Sequence, residues 1–196
     1  VVDCDNTLWE GVCAETGPDG VEIGDGHHAL QAFLLEQHDQ GTLLCLCSKN
    51  EEPDVHAVFE SGPAMPLRRE HLAATRINWQ PKSQNLRALA RELNVGLDSF
   101  VFIDDNPLEC AEVRAGCPEV LVVPVSPSAA GMAELLAHLW PLDRLVVTEE
   151  DRQRTQFYQR EADRVRLRAE APSFAAFLER LELKIQVAEM LESQIA

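Results

Sequence analysis

Positive charge is scarce in this chain. Seventeen Lys and Arg stand against 33 Asp and Glu, a formal net charge of −16 that opposes non-specific attraction to nucleic acid or anionic lipid. Neither is an expected partner. Long apolar runs are missing as well: none approaches the ~20 residues of a membrane span, and no basic segment leads into an apolar one as in a secretion signal. The expected location is the cytoplasm. Zinc-finger spacing is absent, since the six cysteines (Cys4, Cys13, Cys45, Cys47, Cys110 and Cys117) include no Cys-x-x-Cys and no histidine at finger-like distance. They read as reduced, buried thiols. Internal repeats and low-complexity tracts are lacking too, and 196 residues at 45% hydrophobic content suit one core better than two. The first residue is not Met and lies inside an apparent strand, so the chain is expected to be a piece of a longer one, with its first strand incomplete.

What is present is a repeated helix-then-strand pattern. Leu30, Phe33 and Leu34 recur at helical spacing, Gly41 stops that helix, and Thr42-Leu43-Leu44-Cys45-Leu46-Cys47 is an uninterrupted apolar run. Leu86, Leu89, Ala90 and Leu93 form a second helix face before Phe100-Val101-Phe102-Ile103, and a third cycle ends in Val120-Leu121-Val122-Val123. Continuous rather than alternating apolar strands mark a parallel sheet covered on both faces, hence a three-layer α/β/α sandwich. Residues 9–26 read as a small flap, too short for a cap domain. From Thr148 the character changes: Thr148-x-x-Asp151 resembles a capping box, and six arginines crowd residues 152–168 of one polar helix. Ser173 then caps a short helix, and residues 183–187 alternate like a strand. The expected division is a catalytic core over 1–147 and a helical extension over 148–196.

In such sheets ligands bind beyond the carboxyl ends of the strands, so the polar residues past each apolar run form the candidate site. These are Asp3, Asp5 and Thr7; then Ser48, Lys49 and Asn50; then Asp104, Asp105 and Asn106; with Lys82 before the Leu86 helix. Asp3 and Asp5 share a face in ideal strand geometry, with Cys4 turned away. Like charges so close need a cation, a raised pKa, or both. Asp3 suits attack on phosphorus to give an aspartyl phosphate, and Asp5 suits giving and taking the proton. A Mg²⁺ held among Asp3, Asp5, Asp104 and Asp105 would neutralise the phosphoryl group, while Thr7, Ser48, Lys49, Asn50 and Lys82 would hold its oxygens.

Asp3-x-Asp5-x-Thr7, Ser48 after a strand, Lys82 before a helix and Asp104-Asp105 after another strand resemble the four ordered motifs of the haloacid dehalogenase (HAD) superfamily. The longer strings Asp3-Cys4-Asp5-Asn6-Thr7-Leu8-Trp9, Cys47-Ser48-Lys49-Asn50-Glu51, Ile77-Asn78-Trp79-Gln80-Pro81-Lys82 and Phe102-Ile103-Asp104-Asp105-Asn106-Pro107 are similar to a narrower group, the FkbH-like domains of polyketide biosynthesis. That resemblance implies an enzyme that takes 1,3-bisphosphoglycerate, removes its phosphates and delivers a glyceryl unit to the phosphopantetheine thiol of an acyl carrier protein. It implies an enzyme thioester, with Cys4 the first choice of sulfur and Cys47 its competitor. Two other readings stand beside it: a plain magnesium-dependent phosphatase, and a carrier-docking module with vestigial catalysis.

Overall fold

The computed structural model describes residues 1–126, 128–144, 146–181 and 183. In chain order its helices are α1 (Cys13–Thr16), α2 (Asp25–Asp39), α3 (Glu52–Ser61), α4 (Lys82–Leu93), α5 (Pro107–Gly116), α6 (Ala129–Leu136), α7 (Glu149–Arg152), α8 (Arg154–Glu170) and α9 (Phe174–Arg180). The strands are β1 (Leu44–Ser48), β2 (Leu72–Ile77), β3 (Val101–Asp104) and β4 (Leu121–Pro124). β1 pairs with β2 and β3 with β4, both parallel.

The N-terminal segment joins the two pairs. Val2 bridges Leu46 of β1 on one side and Ile103 of β3 on the other, both in parallel, and its N–H reaches the Cys45 carbonyl at 2.9 Å while that of Asp3 reaches Ile103 at 3.0 Å. The order is therefore β2, β1, N-terminal segment, β3, β4. Successive strands run outward on one side of the segment and then on the other, so the order reverses beside Asp3. Open parallel sheets take their ligands at such a reversal.

Alternate strand residues feed two cores, one on each face. Val2, Leu44, Leu46, Ile103 and Val123 pack with Leu30 and Leu34 of α2, Val55 and Val58 of α3 and Met132 of α6. Cys45, Cys47, Ala73 and Phe102 pack instead with Leu86, Leu89 and Leu93 of α4 and Val113 of α5. Because both faces are covered, β1 is buried at every position, which is why its sequence shows no polar alternation. The result is the three-layer sandwich expected from the apolar runs.

The flap is a closed loop rather than a domain. Glu10 and Glu22 pair antiparallel through hydrogen bonds of 2.7 and 3.1 Å, enclosing α1 and a single 3-10 turn at Pro18–Gly20. Among the described residues no large cap covers the sheet ends. At the end of α2, Gly41 adopts φ +89°, and a Cβ there would stand 2.8 Å from the Asp151 carbonyl oxygen, so both conformation and space call for glycine.

Thr148 and Asp151 form a reciprocal cap on α7, and Ser173 caps α9 by accepting from Ala176 N–H at 3.1 Å. The chain divides into two compact units between Gln159 and Arg160. The first part of α8 belongs to the larger unit because Gln159 Nε2 donates to the carbonyls of Glu70 (3.0 Å) and Leu72 (2.8 Å). Within the smaller unit three of the arginines are engaged locally. Arg164 pairs with Glu161 and Arg166 with Asp163, one helical turn away, while Arg168 lies over the rings of Phe174 and Phe177. The strand expected over 183–187 lies outside the described residues, Leu183 apart. Among the described residues no helix is long and apolar enough to cross a membrane.

Candidate active site

Asp3 ends the central segment and Asp104 ends β3 next to it, so strand pairing alone sets the two carboxylates side by side. Asp105 follows on the turn into α5, whose N-cap is Asn106 and whose first residue is Pro107. Ligand oxygens of Asp3, Asp104 and Asp105 lie within 4.8 Å of one another. Asp3 and Asp104 are buried, at 7% and 0% exposure, and Asp105 is half-buried.

One cation stands among them. Lys82, the first residue of α4 and only 2% exposed, places Nζ 3.0 Å from Asp3 Oδ1 and bonds Asp104 Oδ2. Burial alone would lower the Lys82 pKa, but the charges of Asp3 and Asp104 outweigh it and hold the ammonium protonated above its ordinary range. Even so, one lysine does not neutralise three acids. Burial raises the Asp3 pKa against the opposing pull of Lys82 and the Ser48 hydroxyl. Burial, then the charge of Asp3, push Asp104 up to about 6, against Lys82 and the Asn106 N–H, which donates to Asp104 Oδ1 at 2.8 Å. Asp3 Oδ1 meets Lys82 as an ion pair at 3.0 Å and has no hydrogen-bond donor of its own. An all-oxygen donor set with surplus negative charge and an orphaned buried oxygen fits a hard divalent cation.

This predicts a pH-dependent response to Mg²⁺. The Asp104 pKa is raised on folding, so its contribution to stability is present below about pH 4 and is lost as pH rises through about 6. A cation takes the proton's place only once the carboxylates ionise. The rise in melting temperature on adding Mg²⁺ is therefore expected to be larger at about pH 7.5 than at about pH 5, as read by differential scanning fluorimetry. An equal rise at both would mean that the cation binds elsewhere.

The other sequence candidates occupy the same corner but serve different purposes. Asp5, expected among the metal residues, is not part of the side-chain cluster formed by Asp3, Asp104 and Asp105. Its carboxylate turns to the flap side and accepts from Trp9 Nε1 (2.9 Å), Cys13 N (3.2 Å) and Asn50 Nδ2 (2.7 Å). Asn6 makes that turn possible by adopting left-handed backbone at φ 55°, with its Oδ1 accepting from Gly11 N–H at 3.0 Å. Thr7, expected to hold phosphate, is spent on Asp105: its hydroxyl donates to Oδ1 at 3.0 Å and accepts from the backbone N–H at 3.2 Å. Lys49 is likewise taken up, donating to Glu109 at 2.6 Å, and Asn50 serves Asp5 rather than a ligand. Ser48, 2% exposed, lies beside Asp3. Glu109 went unnoticed in the sequence, although an acid in the first turn of the helix after Asp104-Asp105-Asn106 was a visible signal.

Cys4 is the clearest departure. It is fully buried among Val2, Leu8, Trp9 and Leu30, on the face strand alternation assigns it. Burial, then the charge of Asp3, raise its thiol well above the ordinary range. Cys47 is buried in the opposite core and pushed up to about 12, burial outweighing Lys82. Neither sulfur is presented as a thiolate. All six cysteines are buried and free, as expected.

No family model matches this chain, and neither does any curated protein. Its structure does have a counterpart, the N-terminal part of the protein BF1531 from Bacteroides fragilis, described as containing a phosphatase domain complexed with Mg. The two are 32% identical with a TM-score of 0.65, over 72% of this chain and 39% of that one. The fold is HAD-like. This chain spans about two fifths of the length of that counterpart. Within this HAD-like core, the residues brought together at the sheet reversal are Asp3, Ser48, Lys82, Asp104 and Asp105, five of the seven that the four motifs marked; Asp5 and Thr7 are the other two.

Proposed function

We propose that the protein is a Mg²⁺-dependent phosphatase of the HAD type, acting through an aspartyl phosphate on Asp3. The observation that carries this is the cluster of Asp3, Asp104 and Asp105 within 4.8 Å, with Lys82 buried among them at the sheet reversal. These three carboxylates would hold Mg²⁺, which would supply the charge neutralisation an anionic nucleophile needs to approach an anionic phosphoryl group. Asp3 attacks phosphorus and the bond to the leaving oxygen breaks. Asp5 gives that oxygen a proton, then recovers one from the water that hydrolyses the acyl phosphate on Asp3. Ser48 and Lys82 hold the phosphoryl oxygens. The Mg-complexed phosphatase domain of BF1531, similar in fold, supports the metal and the reaction class.

The finer reading is that the substrate is 1,3-bisphosphoglycerate and that a glyceryl unit passes to the phosphopantetheine thiol of an acyl carrier protein. Its support is the similarity to FkbH-like domains of four strings that all border one site. An acyl phosphate is already an activated donor, so a carrier thiol can displace phosphate from it without an enzyme sulfur. Direct transfer suits the burial of Cys4 and Cys47 better than a thioester on either. Intact-protein mass spectrometry after incubation with the acyl phosphate and holo carrier protein tests both points. The expected result is glyceryl mass on the carrier and none on this protein. Glyceryl mass on this protein that disappears in Cys4→Ala would restore the enzyme thioester, and phosphate release without carrier loading would leave the phosphatase alone.

A further inference from the structure

Asp5 is held by three donors from three separately anchored segments. Trp9 Nε1 (2.9 Å) and Cys13 N (3.2 Å) both donate to Oδ1, and Asn50 Nδ2 (2.7 Å) donates to Oδ2. Neither side-chain donor is free to swing. The Trp9 indole is fully buried and packs edge-on against Phe59 of α3 with ring centroids 5.9 Å apart. Asn50 is 2% exposed and sits two residues beyond β1. Cys13 opens the flap helix α1.

A carboxylate offers about four lone-pair positions, two on each oxygen. Two donors fill those of Oδ1 and one fills half of Oδ2, so a single position on Oδ2 stays open. We propose that Trp9 and Asn50 are positioning residues that orient Asp5 so that Oδ2 is the atom passing the proton to the leaving oxygen. This rests on Asp5 being the proton donor in the reaction proposed above. The proton leaves Oδ2 as the phosphorus–oxygen bond of the ester breaks, and returns to Oδ2 from the attacking water, so Asp5 ends as it began. Asn50, which its place after Ser48 had suggested for phosphate, is thereby assigned to the carboxylate. The Cys13 N–H ties the same carboxylate to the flap.

The test compares leaving groups. An alkyl phosphate such as 3-phosphoglycerate needs its leaving oxygen protonated, whereas p-nitrophenyl phosphate expels a stable phenolate that needs no proton. Trp9→Phe keeps the buried ring and removes the donor; Asn50→Ala removes the other donor with little change in packing, so at least one variant is expected to fold. In each, kcat/KM, which covers the steps up to the aspartyl phosphate, should fall about 10- to 100-fold on 3-phosphoglycerate and less than about 3-fold on p-nitrophenyl phosphate, whereas kcat, which includes the base-assisted hydrolysis common to both esters, is free to fall on both. An equal fall of kcat/KM on both esters, or a fall on neither, overturns the inference. Asp5→Asn is the control for its foundation. If that variant shows no preference between the esters, or if the wild-type protein hydrolyses neither, the proton-donor assignment fails first and the positioning inference with it. If Asp5→Asn discriminates and the two positioning variants do not, only the inference drawn here falls.

Discussion

Asp3→Asn should reduce phosphate release by at least about 10³-fold at saturating Mg²⁺, because the amide cannot form the acyl phosphate and the remaining groups have no nucleophile to assist. Such a loss corresponds to roughly 4 kcal/mol or more of transition-state stabilisation. The fold should survive the change. Asparagine matches aspartate in size, and Lys82 retains Asp104 as its partner in the buried pair. Thermal melting alongside a phosphate-release assay separates the two effects: an unchanged melt with lost turnover supports Asp3 as nucleophile. Activity within about tenfold of wild type would move the nucleophile to another residue.

Lys82→Met should have the largest effect on stability. Lys82 is 2% exposed and contacts Asp3 and Asp104, themselves 7% and 0% exposed, so methionine fills its volume but leaves two buried like charges facing each other. Breaking a buried ion pair from one side typically costs about 3–5 kcal/mol. For a domain of this size that is a fall of roughly 6–20 °C in melting temperature in the absence of divalent cation. Two further measurements identify the cause. Mg²⁺ should restore more stability to Lys82→Met than to wild type, since it supplies the missing positive charge. Asp104→Asn added to Lys82→Met should recover part of the loss, a coupling that independent sites would not show. A melt unchanged by Lys82→Met would mean that the acids are already protonated or solvated.

The architecture was legible in the sequence wherever a single segment carried the signal. The apolar runs at Leu44–Ser48 and Val101–Asp104 are buried strands because nothing polar interrupts them, and the acids after them converge because parallel strands end on the same edge. Thr148 and Ser173 cap helices where their side chains predicted it. What could not be read was the partner of each polar side chain. Thr7, Lys49 and Asn50 all lie at the right edge, yet they meet residues 98, 60 and 45 positions away, separations over which spacing carries no information. Cys4 is a different case. Strand alternation placed it away from the site, resemblance drew it toward the chemistry, and the structure follows alternation.

The hydrogen bonds that insert the first residues between β1 and β3 have a consequence for how the protein is made. Val1 reaches Val101, Asp3 reaches Ile103 and Thr7 reaches Asp105 across about a hundred residues of chain. On a ribosome, the segment bearing Asp3 and Asp5 emerges before β1 and β3 and finds one edge at β1, but the other edge does not exist until β3 has been synthesised. Contacts of such long range form late, after the loop entropy between them has been overcome. Affinity for a divalent cation at this site should therefore arise only after residue 105 has left the exit tunnel, which makes metal binding a reporter of the completed sheet.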